Sequence, residues 1–104
     1  MALKVVIVAR ANADLGAIRD FLTSRNHAVA LAVAAELLQA FARIGYYPRI
    51  GRETDIPGVY VTTLARYPYR IYYNIGSQQI VILHIRHTSR AMMQGSRRGV
   101  GISP

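Results

Sequence analysis

The sequence predicts an α+β domain: an N-terminal strand, an antiparallel helical hairpin, then a three-stranded antiparallel meander completing one mostly antiparallel sheet. Three observations carry that expectation. The chain opens on a β-branched run from Leu3 to Ala9, and apolar residues then recur at helical spacing as far as Ile44. Three strand-like stretches follow, separated by Pro68 and Gly76. With 104 residues and 52% hydrophobic content, the chain can bury roughly two thirds of its unfolded surface in one core. Residues 1–94 read as that single domain. Residues 95–104 include Arg97, Arg98, Gly99, Gly101 and Pro104 with almost nothing to bury, so a flexible basic tail is expected.

In order along the chain, Leu3 to Ala9 is a buried first strand. It is too short to span a membrane and lacks the layout of a signal peptide, so a soluble, cytoplasmic protein is expected. Asn12 is a good N-cap for the first helix, with Asp14 in the first turn where the helix dipole favours negative charge. Leu15, Ile18 and Leu22 carry that helix to about Ser24 and Arg25. Asn26 can cap a second helix with an apolar stripe through Ala30, Val33, Leu37, Phe41 and Ile44, and Gly45 suits its end. So short a connection folds the two helices back on each other. Pro48, Gly51 and Pro57 make Tyr46 to Pro57 a loop crossing to the sheet. The strands are Gly58–Leu64, Tyr69–Ile75 and Gln79–Arg86, with Gly76 and Ser77 at the last turn.

The last hairpin decides which side chains share a face. A two-residue turn would put His84 and Arg86 beside Ile71 and Ile75, mixing charge with core. A one-residue slip segregates them, which predicts an odd-length connection or a bulge near Gly76 to Gln78. The core face would then hold Tyr69, Ile71, Tyr73, Val81, Leu83 and Ile85. The open face would hold Arg70, Tyr72, Asn74, His84 and Arg86.

Charge narrows the function classes. Thirteen Lys+Arg against five Asp+Glu give a net charge of +8, and Lys4 is the sole lysine. No acid lies beyond Asp55, whereas Arg66, Arg70, Arg86, Arg90, Arg97 and Arg98 do. Such a half attracts nucleic acid, an acidic protein or an anionic membrane. The absence of cysteine excludes disulfides and thiolate chemistry. No carboxylate pair sits where acid–base work could use it, and Gly95, Gly99 and Gly101 lack the following helix that a phosphate loop needs. His84 and His87 are three apart, which in a strand points them to opposite faces, so no metal site and no cofactor are expected. All three histidines read as structural or solvated, and Tyr69 and Tyr73 as packing residues.

Four segments in order resemble a known family. They are Ala13-Asp14-Leu15-x-x-Ile18, the loop Pro48-Arg49-Ile50-Gly51-Arg52, the strand Tyr67-Pro68-Tyr69-Arg70-Ile71-Tyr72-Tyr73, and the run Ile80 to Arg90. Together they resemble the RelE/ParE superfamily of small bacterial toxins, the ParE-like branch in particular, from the first strand to Arg90. The resemblance implies the toxin of a type II toxin–antitoxin, plasmid-stabilising pair. Its expected partner is a cognate, ParD-like antitoxin with an acidic C-terminal segment, bound as a hetero-oligomer. ParE-like members act on DNA gyrase; RelE-like members cut messenger RNA in the ribosome.

Arg70 stands where RelE-like nucleases carry a functional arginine, and Arg70, His84, Arg86, His87 and Arg90 would form the catalytic set of a ribonuclease. Against that reading, Ala91-Met92-Met93-Gln94 occupies the place where those nucleases carry a C-terminal tyrosine or histidine, and arginine is a poor proton donor. The expectation is therefore a non-enzymatic, gyrase-poisoning toxin whose partner-binding residues are Arg70, Tyr72, His84, Arg86 and Arg90. The alternatives are a ribosome-dependent ribonuclease and a non-toxic basic binding module.

Overall fold

A computed structural model describes residues 2–88. Arg90 and the expected tail at 95–104 lie outside the described residues. The elements are β1 (Lys4–Ile7), α1 (Ala9–Thr23), α2 (His27–Tyr46), a 3-10 turn (Pro48–Ile50), β2 (Arg52–Glu53), β3 (Val59–Thr63), β4 (Tyr69–Ile75) and β5 (Gln79–His87). They form the expected α+β fold. The five-stranded sheet runs β1-β5-β4-β3-β2. Its first pair is parallel, Lys4 against Gln79 through Ile7 against Ile82, and the other three pairs are antiparallel. The stretch expected as plain loop thus contains a helical turn and a short edge strand.

Helix α2 supplies most of the helical core. Val33, Leu37, Ala40, Phe41 and Ile44 are buried together with Ala11 of α1 and with Tyr69, Ile71, Tyr73, Ile80, Ile82 and Ile85 of the sheet. By length and composition α2 could cross a membrane, but this stripe instead faces the domain's own core. Its start is capped as expected, with the Asn26 side chain accepting from Val29 N at 3.1 Å. Gly45 has a different task from the one anticipated. The helix continues to Tyr46, and a Cβ on Gly45 would lie 3.1 Å from Leu3 O and 3.2 Å from Val5 Cγ2. Glycine is there because β1 crosses the helix at that point.

Two further expectations are corrected. Helix α1 begins at Ala9, with Val8 as N-cap, rather than after Asn12. Val8 N still reaches Ile82 O at 3.3 Å while Val8 O accepts the first helical bond from Asn12 N, so strand passes into helix with no linker. Asp14 therefore falls beyond the first turn.

The second correction concerns the slip in the last hairpin. Gly76 N donates to Gln79 O at 2.8 Å, closing an even turn, and Ile75 pairs with Ile80. The irregularity lies downstream: Tyr73 pairs with Ile82 and Tyr72 with His84, leaving Leu83 as the extra residue. Ile80 and Ile82 are core, and Val81 and Leu83 are only half-buried. The physical reason is β1. It pairs with β5 only as far as Ile82, which requires the isoleucines of that stretch beneath the helices. Past its end a one-residue bulge can exchange the faces.

The loop after α2 is pinned by one phenol. Tyr73 Oη donates to Pro48 O at 2.6 Å and accepts from Gly51 N at 3.0 Å. Burial pushes the Tyr73 pKa upward, the Gly51 bond opposing it. A Cβ on Gly51 would sit 2.5 Å from Val61 O and 2.7 Å from Tyr73 Oη. Gly51→Ala is expected to destabilise by about 1–3 kcal/mol through overpacking, read as a lowered urea midpoint. An unchanged midpoint would show that the loop yields freely.

Candidate partner-binding face

The bulge gathers the charged side chains. Between β4 and β5, Arg70 lies directly opposite Arg86, Tyr72 opposite His84 and Asn74 opposite Val81, and all six are half-buried. The rings of Tyr72 and His84 are 6.0 Å apart and tilted by 31°. Asn74 Nδ2 donates to Gly58 O at 3.1 Å, tying the face to the β3 entry. Like charges directly opposite on paired strands repel, and Arg70 and Arg86 are placed in that way. Among the described residues no carboxylate forms an ion pair with Arg70.

Of the two roles expected for His84, structural or solvated, the structure gives it the first. Its Nδ1 meets Asp14 Oδ2 at 2.5 Å, and the same carboxylate oxygen accepts from Ile85 N at 3.0 Å. The second oxygen takes Arg10 Nε at 3.3 Å, and an Arg10 Nη nitrogen approaches His84 Nε2 at 3.5 Å. Asp14 thus replaces β1 as the partner of the β5 edge where β1 has ended. The sequence carried a usable signal. Asp14 lies on the stripe Ala11, Leu15, Ile18 and Leu22, and an acid among apolar helix positions needs a buried partner. Glu36 gives a parallel case, since its Oε2 accepts from Ala65 N and Arg66 N at 2.8 and 3.1 Å. The acid-free half of the sequence therefore borrows two carboxylates from the helices.

Burial lowers the His84 pKa below its ordinary 6.5; Asp14 pulls it back up, and Arg10 and Arg86 lower it further. With the net direction downward, the unfolded chain binds more protons than the folded one as pH falls below that value. Stability is then lost with acidification. The slope of unfolding free energy between neutral and mildly acidic pH should be shallower in His84→Gln than in the parent. An equal slope would mean that His84 charges freely in the folded protein.

His87 does not join this face. It pairs with buried Tyr69, their rings meeting edge-on at 5.2 Å and 89°. Of the five candidate nuclease residues, Arg70, His84 and Arg86 come together, His87 points the other way, and Arg90 lies outside the described residues. Arg90 is likewise the one expected partner-binding residue not placed. Among the described residues no cluster of three His, Cys, Asp or Glu side chains could hold a metal. Away from the face, an apolar groove of about 220 Å³ runs between α1 and α2, lined by Leu15, Ile18, Leu22, Ala30, Val33 and Leu37 among others.

Two helices on a mixed five-stranded sheet form the fold shared with the ParE and RelE toxins of toxin–antitoxin pairs. The chain belongs to the ParE family, described as the ParE toxin of type II toxin–antitoxin system parDE, whose model matches residues 5–92. Among solved structures, the chromosomal ParDE system of P. aeruginosa matches with TM-score 0.75 and 24% identity, over 85% of this chain and 98% of that one. The RelBE2 toxin–antitoxin complex of Mycobacterium tuberculosis matches at 0.57 and 23%, over 84% and 99%. A mutant E. coli RelE toxin in the free state matches at 0.62 and 15%, over 90% and 92%. No curated protein matches. At these identities the structural likenesses show the fold.

Proposed function

We propose that this ParE-family toxin acts by binding and poisoning DNA gyrase, and that an acidic, amphipathic segment of a ParD-like antitoxin neutralises it. The observation carrying the binding reading is the state of His84. Its Nδ1 is held by Asp14 and its Nε2 lies 3.5 Å from an Arg10 guanidinium nitrogen, so the one imidazole of this face has a protein partner at each ring nitrogen. The rest of the face offers arginines, which hold anions well and donate protons poorly. A disordered acidic segment that orders on contact would bridge Arg70 and Arg86 and lay apolar residues in the groove between α1 and α2. The work is expected to take place in the cytoplasm, where gyrase is.

The test is purified toxin added to gyrase and relaxed plasmid. Inhibited supercoiling or trapped cleaved DNA is expected, relieved by one equivalent of antitoxin. No effect at micromolar toxin, together with cut messenger in a translation reaction that Arg70→Ala abolishes, would replace this reading by the RelE-type ribonuclease. Growth unaffected by induced expression would favour a non-toxic binding module instead.

A further inference from the structure

We infer that a carboxylate of the acidic partner segment seats between Arg10 and His84, and that its binding takes up one proton from solvent at His84 Nε2. The inference rests on the antitoxin reading above and adds to it the seat of one acidic side chain and a dependence on pH.

The hydrogen bonds assign the imidazole. A carboxylate oxygen accepts, so His84 Nδ1 carries the hydrogen that lies against Asp14 Oδ2. A guanidinium nitrogen can only donate, and one of Arg10 lies 3.5 Å from Nε2. Nε2 is therefore the bare nitrogen, and the ring is neutral in the free chain. The charges facing it are few. Arg10 and Asp14 come from α1 and Arg86 from β5 itself. Strand β4 presents Tyr72 across from the ring, with Arg70 opposite Arg86. Strand β1 ends level with Ile82, its one charge, Lys4, standing beside Gln79. The one acid of α2, Glu36, is turned to the Ala65 and Arg66 amides. Burial, with the two arginines, holds the ring below its ordinary pKa against the pull of Asp14.

The cluster is open on one side only. The His84 and Asp14 side chains are 18% and 16% exposed, whereas that of Arg10 is 67% exposed. Arg10 can swing while the His84–Asp14 pair stays in place. A carboxylate entering the gap accepts from the guanidinium, and Nε2 no longer faces a donor. It gains a proton from water and donates to the same carboxylate, while Nδ1 keeps its hydrogen. An opposite charge beside an imidazole favours its charged form. The bound state then holds more protons than the free one, so affinity rises as pH falls.

The surroundings favour a peptide acid over a phosphodiester. Further along α1, Leu15 and Ile18 line the apolar groove shared with α2. A segment with acidic and apolar side chains fills both places; a polynucleotide fills only the first.

The probe is a synthetic amphipathic peptide of glutamate and leucine, added to the full chain. Imidazole NMR should show the His84 pKa rising by about one unit or more at saturating peptide, with the exposed His27 ring as internal reference. Peptide affinity should rise about threefold or more from about pH 7.5 to about pH 6, where glutamate stays ionised, within the roughly tenfold per pH unit that one linked proton permits. His84→Gln should lose most of that pH dependence, whatever its affinity. Peptide binding with an unmoved His84 overturns the proposal and leaves the antitoxin reading standing. So does a pH dependence that survives in His84→Gln. Absence of peptide binding also overturns it, and relief of gyrase by antitoxin then judges the wider reading separately. An oligonucleotide that raises the His84 pKa further than the peptide does would give the seat to nucleic acid and equally overturn it.

Discussion

Ile82→Ala is expected to destabilise the domain by about 2–5 kcal/mol, the cost of emptying a fully buried site that cannot collapse, whereas Leu83→Ala next to it should cost far less. Ile82 has no exposed surface and is packed between β1 on one side and Tyr73 on the other. Leu83 is the bulged residue and is only half-buried. Alternation read from the turn with a slip near Gly76 would reverse the order, making Leu83 the costly site. Urea unfolding of the two variants decides the matter. A larger loss in Leu83→Ala would place the bulge nearer the turn and would dismantle the face described above.

Arg70→Gln should separate stability from function. Removing one of two opposed arginines relieves a like-charge contact, so the isolated domain should hold its stability or gain about 0.2–1 kcal/mol. Antitoxin affinity should nevertheless fall by about 30-fold or more, the ~2 kcal/mol that marks a hot-spot residue. The salt dependence of binding should weaken with it, since part of the attraction is between charges. Calorimetric titration at two ionic strengths, beside a thermal melt, reads all three quantities. Unchanged affinity would move the antitoxin off the β4–β5 face. A lowered melting point would show that Arg70 serves the fold after all.

Strand β4 was legible to the residue, because Tyr69 to Ile75 alternates and is closed by proline and glycine. The open face was legible as well: Arg70, Tyr72, Asn74, His84 and Arg86 are on one side of the sheet, as the need to separate charge from core requires. The position of the slip was not. Periodicity says that the faces must exchange somewhere in β5, but the place depends on where β1 stops, and β1 is more than seventy residues away in sequence (Ile7 pairs with Ile82). Asp14 was misread for a related reason. Local rules place it at a helix start, whereas its partners His84 and Ile85 lie across the fold. Gly45 and Gly51 were read as ordinary punctuation. Their spatial reasons, β1 at one and Val61 with Tyr73 at the other, come from elements that meet only in the finished domain.

The sheet's single parallel pair joins its first strand to its last, Lys4 to Gln79. A growing chain can fold the helical hairpin early, but β1 stays an unpaired edge until β5 has been synthesised, and non-local closure of this kind is slow. Half of the basic face, His84 and Arg86, travels on that same final strand. On the function proposed above, the binding face is therefore completed late, and an antitoxin already in place would meet it as it forms.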